Sequence, residues 1–311
     1  MSAGAQADTG GVPAGTVGRA VSVLPDVAGL DRTFDYLVPE QLDGRVRVGS
    51  LVRVELAGRR VGGWVVAELP RDGDGRATKR LRRVSGWGPE PDVVDLSRWA
   101  SWRYAGRRNA ILATASPGRA VTALPPPDRR RPAPPVTSPE LAAAVAAALA
   151  RPPATTAGGD GPAAVLRLPP ALDPTAVVAL VAQRGPTLVV LPSSVEAGRL
   201  ARRLRGGGAG VAEVPEQWAQ ARAGAGVVVG ARAAAWAPCP GLAAVVVLDA
   251  HEEALVQEQA PTWWATTVGQ ERARRAGVPC VLVTACPTLD LLVSAPQVAL
   301  PPERERQGWA P

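Results

Sequence analysis

The feature that most constrains the fold is a series of short, almost wholly apolar runs along the second half of the chain: "AAVLRL", "TLVVL", "GVVVG", "LAAVVVL" and "VPCVLV". Between them lie stretches with helical spacing, "PTAVVALVAQ", "SVEAGRLARRLR" and the region around "TTVGQERARRA". A strand without polar alternation must be covered on both faces, and such strands alternating with helices predict a parallel sheet between two helical layers. Ligands of these sheets bind at the carboxyl ends of the strands. In "VVVLDAHEEAL", residues 245–255, Asp249 follows the apolar run directly and so falls at such an end. In a nucleotide hydrolase an acid at this point holds the magnesium ion of ATP, and a second acid beside it activates water. Here the residue beside it is Ala250.

The first half has a different pattern. From Ala20 to about Leu69, "AVSVL", "TFDYLV", "SLVRVELAG" and "GWVVAEL" alternate apolar and polar residues between Gly and Pro, which predicts a small antiparallel barrel or sandwich. A charged turn, "PRDGDGRATKR", leads to "DLSRWASWRYAG", read as a helix carrying Trp99, Trp102 and Tyr104. "PPPDRRRPAPP", residues 125–135, is too rich in proline for a helix or central strand and reads as a semi-rigid linker. "SPELAAAVAAALA" then starts a helix, with Ser138 as N-cap, Pro139 at the first helical position, and Leu141, Val145 and Leu149 along one face. The expected layout is a disordered tail over 1–18, a first domain over 19–124, a linker over 125–137, a second domain over 138–300 and a C-terminal tail over 301–311. A chain of 311 residues, 46% hydrophobic, can support two such cores.

Composition narrows the function classes. Lys and Arg number 35 against 28 Asp and Glu, a net charge of +7, which permits an anionic partner without requiring one. Lys79 is the only lysine, so a lysine-dependent phosphate loop has no candidate elsewhere. Three unpaired cysteines, Cys239, Cys280 and Cys286, indicate neither a disulfide framework nor a zinc site and fit a reducing cytoplasm. The first 18 residues lack the basic start and apolar core of a secretory signal, and no apolar run reaches the roughly 18 residues of a membrane span, so a soluble protein with no membrane partner is expected.

The order of these features resembles the PriA family of replication restart helicases. "DRTFDYLVPE" is similar to that family's motif for binding the 3′ end of a DNA strand, and "GSLVRVELAGRRVGGWVV" resembles the barrel strands after it. "VVVGARAAAWAPCPGLAAVVVLDAHEEALVQEQAP" is similar to the stretch of its helicase lobe from a Gly-Thr-Arg motif to the Asp-Glu-Glu-His box, and "VLVTACPT" to the Ser-Ala-Thr-Pro motif that follows. The resemblance implies a multidomain fold: a small N-terminal antiparallel β-barrel or α+β domain, then an α/β lobe of the RecA-like, P-loop NTPase type.

Departures from the family bear on activity. Where the family has a Gly-x-x-x-x-Gly-Lys-Thr phosphate loop, this chain reads "LPPALDPT", residues 168–175, and only Thr175 remains. The glycines let backbone N–H groups surround the phosphates and the lysine reaches the terminal ones; Asp173 would repel phosphate and Pro174 offers neither charge nor N–H. Aligning Asp249 with the first acid of the acid box puts Ala250 at the catalytic glutamate. Thr175 and Asp249 therefore read as a vestigial nucleotide site, with ATP and magnesium binding disfavoured and no cofactor required. A winged helix, a second helicase lobe and the zinc module of the family are also expected to be missing from this chain.

By resemblance the 3′-end-binding residues are Phe34, Asp35, Tyr36, Gly58 and Arg82. Aromatic rings offer stacking faces to bases, a carboxylate accepts from a sugar hydroxyl, glycine permits close backbone approach, and arginine grips a phosphate with two donors. The alternative is a strand with Phe34 and Tyr36 packed in the core, a turn glycine and a surface arginine. Arg232 matches a family position near the DNA path and is a secondary contact; so are Arg129, Arg130 and Arg131, unless they are solvated linker charge. Cys–His catalysis by His251 and Cys286 is disfavoured, because the family match accounts for both as remnants of motifs.

The expectation is a cytoplasmic, nucleoid-associated, PriA-like protein that binds abandoned replication forks. It would recognise the 3′ end of the nascent strand and support primosome assembly with other replication proteins, without ATPase or helicase activity. The alternatives are an active 3′-to-5′ helicase with unusual nucleotide contacts and a protein-interaction scaffold.

Overall fold

The structure is a computed structural model that describes residues 19–69, 79–150 and 163–309. The expected tail over 1–18 and most of the charged turn lie outside the described residues.

Six strands form the first sheet: β1 (Ala20–Pro25), β2 (Phe34–Leu37), β3 (Leu51–Leu56), β4 (Arg59–Leu69), β5 (Lys79–Arg80) and β6 (Arg83–Gly86), in the order β5-β2-β1-β4-β3-β6. All pairs are antiparallel except β2 with β5. The two edge strands are nearly consecutive in the chain, so the sheet curls into a partly closed barrel. Alternate residues Val21, Val23, Tyr36, Val52, Val54 and Val65 fill its interior, as the period of two requires. The β3–β4 connection is the two-residue turn Ala57-Gly58, with φ of 47° and 77°, a hairpin geometry that glycine accepts without strain.

Two helices follow, α1 (Pro91–Arg103) and α2 (Arg108–Ala115). They have two apolar faces. Val94 and Leu112 pack on Leu24 and Trp64, on the outside of the barrel, while Val93, Leu96, Ala100, Ile111 and Ala115 belong to the core of the second sheet. Trp64 Nε1 donates to Ser116 Oγ at 2.8 Å and Asn109 Nδ2 to the Val27 carbonyl at 3.0 Å on one side. Trp218 Nε1 donates to the Ala115 carbonyl at 3.0 Å on the other.

The proline-rich segment is strapped to the second sheet. Asp128 bridges Ala225 in parallel, the Gly210 N–H donates to the Arg130 carbonyl at 2.9 Å and the Ala133 N–H to the Gly207 carbonyl at 2.8 Å. Too rich in proline to be a central strand, it still bonds its remaining backbone groups to the residues that lead into β9 and β10.

The remaining elements are α3 (Pro139–Leu149), β7 (Ala163–Arg167), α4 (Pro174–Val181), β8 (Thr187–Val190), α5 (Ser194–Gly206), β9 (Val211–Val214), α6 (Trp218–Ala223), β10 (Val227–Gly230), β11 (Ala244–Val247), β12 (Val256–Gln257), β13 (Trp263–Trp264), α7 (Ala265–Ala276), β14 (Cys280–Thr284), α8 (Leu289–Ser294), β15 (Gln297–Val298) and α9 (Pro302–Trp309). Seven strands pair in the order β15-β7-β14-β11-β8-β10-β9, each pair parallel. Ala164, Leu166, Val189, Val227, Val229 and Val246 face α3, α4 and α5; Val165, Leu188, Val190, Val228, Val245 and Val247 face α1, α2, α6 and α7. The expected sheet between two helical layers is present. Among the described residues no helix is long and apolar enough to cross a membrane.

One segment departs from expectation: residues 302–309 form α9 rather than a tail.

Candidate nucleic-acid interface

Successive residues of β2 point to opposite faces, and this decides the "TFDY" residues. Tyr36 lies opposite Val21 and Phe34 opposite Val23, all on the interior side. Tyr36 is only 2% exposed, and its hydroxyl donates to the Glu55 carbonyl at 3.1 Å; burial pushes its phenol pKa up. Its ring offers no free face to a base, so the expected pair of stacking rings around the acid is not formed. Phe34 is half-buried against the same core, with the Arg32 guanidinium 5.1 Å from its ring centre. Asp35 points outward and accepts from Ser22 Oγ at 2.7 Å, its cross-strand neighbour. That bond fixes the carboxylate and leaves its other oxygen for a ligand donor.

Gly58 sits at the exposed tip of the β3–β4 hairpin, with open space where a side chain would be. Arg82 pairs with Glu55 at 2.6 Å while remaining 60% exposed. Arg82 and the Tyr36 hydroxyl thus meet around Glu55, whereas Asp35 bonds to Ser22 on the other face of the strand. The Ser22 contribution was missed from the sequence, because a cross-strand partner follows from register, which no local motif encodes.

In the second sheet the connections after β7 and β14 leave on opposite faces, through α4 and α8. A crevice between these neighbouring strands is where such sheets bind ligands. The loop after β7 begins there, its Leu168 N–H donating to the Thr284 carbonyl at 2.9 Å. Asp173 caps α4, accepting from the Thr175 N–H at 2.9 Å, and Arg203 pairs with the same carboxylate at 3.0 Å. Burial raises the Asp173 pKa, but the Thr175 and Arg203 contacts win and hold it below the usual carboxylate value. The chain's own carboxylate therefore caps the start of α4. Helix α9 covers the loop: the Ala171 N–H donates to the Gly308 carbonyl at 3.2 Å, and Arg167, at the end of β7, lies 3.3 Å from Glu305 and 5.9 Å from the Trp309 ring centre.

Asp249 lies just past β11, as expected, with a φ of 47°. Burial pushes its pKa up; His251 opposes this and Glu252 adds to it. Ala250 is buried and its N–H donates to the Val283 carbonyl at 3.0 Å. His251 Nδ1 is 2.9 Å from Thr284 Oγ1 and Nε2 is 3.5 Å from Glu252, so its ring is engaged by these two residues and not by Cys286. Burial pushes the Cys239 and Cys280 thiols up to about 12.

Arg232 donates to Gln257 Oε1 at 3.0 Å and to the Ala254 carbonyl at 3.4 Å, which ties it to the segment after Asp249. Arg130 pairs with Asp128 at 2.8 Å and Arg131 donates to the Gln183 carbonyl at 2.8 Å. Arg131 thus ties the strap to the turn after α4, whereas the Arg130 pair lies within the strap. Among the described residues no cluster of three or more His, Cys, Asp or Glu could hold a metal ion.

Comparison with known proteins bears on the first unit. Residues 22–117, which hold β1 to β6 with α1 and α2, match the family model of the PriA 3′DNA-binding domain. That unit is similar to the PriA 3′DNA-binding domain. A probable replication restart protein PriA from Mycobacterium tuberculosis is 40% identical over 96 residues, 29% of this chain and 14% of that protein. The replication restart protein PriA of Bacillus subtilis is 39% identical over 64 residues, 21% of this chain and 8% of that protein. The match therefore spans only a small part of the length of these relatives. A solved structure of S. cerevisiae Dbp5 bound to partner proteins and ADP covers 52% of each chain at 14% identity, with a TM-score of 0.35 that carries no argument.

Proposed function

We propose that this chain binds DNA through its first domain, recognises the 3′ end of the nascent strand at abandoned replication forks, and supports primosome assembly by other replication proteins without hydrolysing ATP. The observation that carries this reading is the match of residues 22–117 to a 3′DNA-binding domain. The geometry supplies a contact consistent with it: an outward carboxylate, Asp35, oriented by Ser22, able to accept from a terminal sugar hydroxyl. A 3′ phosphate in its place brings like charge against the carboxylate, so Asp35 discriminates by attraction and repulsion together.

Phe34, Arg82 and the Gly58 turn are the supporting contacts of this reading, and Tyr36 acts from the core by holding the backbone of Glu55, whose carboxylate pairs with Arg82. The RecA-like lobe then serves as a scaffold. Asp173 at the start of α4, Ala250 after Asp249 and α9 over the loop all favour a lobe that does not turn over nucleotide.

The test is binding of forked DNA with a 3′ hydroxyl or a 3′ phosphate to wild type and Asp35→Ala. Wild type should prefer the hydroxyl and the variant should bind both alike. Equal binding by wild type would reject 3′-end recognition, and DNA-stimulated phosphate release abolished by Asp249→Asn would reject the non-hydrolysing part.

A further inference from the structure

A second feature of the barrel lies away from Asp35. A pocket of about 200 Å³ opens between the turn leading into β3 and the segment after β6, lined by Arg45, Arg47, Ser50, Trp87 and Thr122 with Val84 and Gly86 behind. We propose that this pocket is a further phosphate-binding site of the first domain, one that takes a backbone phosphate of DNA. The inference rests on the DNA-binding reading and adds a contact to it.

Four observations carry it. The lining includes two arginines, the Thr122 hydroxyl and no acidic residue, a donor set for an anion, while the Ser50 hydroxyl donates to the Arg45 carbonyl at 3.5 Å and shapes the wall. Arg45 and Arg47 are exposed, and among the described residues neither has a carboxylate partner, unlike Arg19, Arg82 and Arg130. Arg47 is also pre-positioned: its guanidinium stacks 4.3 Å from the Trp87 ring centre, and Arg222 approaches the same ring at 5.0 Å. Stacking restrains the flat group by its face and leaves the in-plane N–H donors free to fork onto phosphate oxygens.

The fourth observation is rigidity. The Arg47 N–H donates to Ser50 Oγ at 3.1 Å, and the Ser50 N–H returns to the Arg47 carbonyl at 2.9 Å. Gly49, at a φ of 90°, lies so close to Pro89 that an added Cβ would be 1.8 Å from the Pro89 carbonyl oxygen. On the other wall the Trp87 N–H donates to the Val121 carbonyl at 2.7 Å. Both walls are thus held before any ligand arrives, which lowers the ordering cost of binding. The arginines covering Trp87 leave base stacking a minor role, and the basic lining favours a phosphate.

The pocket flanks the start of β3, whereas the Gly58 turn follows its end. Six residues of strand separate them by about 20 Å, on the order of six base steps of a duplex. A DNA end engaged near Gly58 and Arg82 would thus have a phosphate several steps back within range of Arg45 and Arg47.

The experiment measures forked-DNA affinity across a salt series for the full chain, for Arg45→Gln/Arg47→Gln, and for a charge-matched control, Arg199→Gln/Arg202→Gln on α5. The expected result is weaker binding for the first variant, with the log–log salt slope reduced by about 0.9 for each duplex phosphate that is no longer neutralised, and an unchanged slope for the control. Equal reductions in both variants would reduce the pocket to general basic charge, and an unchanged slope in the first would overturn the site. Inorganic phosphate at matched ionic strength is the second probe: strong competition with DNA abolished in the first variant would reassign the pocket to free phosphate. Preference for the 3′ hydroxyl should persist in the Arg45→Gln/Arg47→Gln variant. Its absence already in wild type, alongside a reduced slope in the variant, would keep this site and reject 3′-end recognition.

Discussion

Two glycines in the barrel show how the same residue serves different ends. Gly49 has a φ of 90° and no room for a side chain against Pro89, so Gly49→Ala combines backbone strain with a clash that neither backbone can relieve. It should cost roughly 3 kcal/mol or more in urea unfolding. Gly58 has a similar φ, 77°, but open space around it, so Gly58→Ala should cost only about 1 kcal/mol, while DNA affinity falls further if the hairpin tip touches the strand end. A destabilisation at Gly58 as large as that at Gly49 would show that strain, not space, sets both costs. The motif residues divide in the same manner: the order Phe34, Asp35, Tyr36 is plain in the sequence, but which of the three faces solvent depends on the register of β2 against β1.

At the scale of elements, buried charges join α7 and α1 to the loops below them. Arg272 is 3% exposed; it donates to the Ala235 and Ala237 carbonyls at 3.1 and 2.6 Å and lies 3.6 Å from Asp92 at the start of α1. Arg272→Ala should destabilise the chain by about 3 kcal/mol in chemical denaturation, since it strands two buried carbonyls. Two carboxylates titrate in opposite senses. Burial raises the Glu271 pKa, yet hydrogen bonds from Arg274 and Arg275 hold it low, so its contribution is present above the unfolded value of about 4.3 and is lost on acidification. Glu90 is raised by burial first and by Asp92 second, against the pull of Arg222, Arg272 and the Cys239 N–H. Its contribution is complete below about pH 4.3 and is lost as pH rises through the raised folded value. Wild type should therefore lose stability relative to Glu90→Gln as pH rises from about 4.3 through the raised folded value, and gain it relative to Glu271→Gln as pH rises from the lowered folded value to about 4.3. Parallel trends in the two variants would show that the signs have been assigned wrongly.

Across the whole molecule, α1 and α2 are shared property. They cover the outside of the barrel through Val94 and Leu112 and complete the second core through Val93, Leu96, Ala100, Ile111 and Ala115. A fragment ending at residue 124 would expose that second face, and a contiguous apolar patch of this kind drives association. The 19–124 fragment is expected to self-associate in light scattering at concentrations where the full chain does not; a monodisperse fragment would show that the two cores are energetically separate. The proline-rich segment runs along the second sheet with Asp128, Arg130 and Ala133 bonded to it, so the two cores are joined by packing as well as by the strap.

Much of this architecture was legible in the chain itself. Apolar runs such as "VVVL" before Asp249 need cover on both faces, which only a parallel sheet between helices supplies, and the alternation around β3 and β4 pointed to the barrel. The cap of α3 by Ser138 was equally local, because it depends on neighbours within a few residues. Long-range placement was not legible. That Tyr36 is buried while Asp35 is oriented by Ser22, that α9 folds over the loop after β7, that Arg47 stacks on Trp87, and that α1 and α2 belong to two cores all depend on residues distant in the chain meeting in space. Periodicity specifies which residues must be buried; only the tertiary structure chooses the partners that bury them.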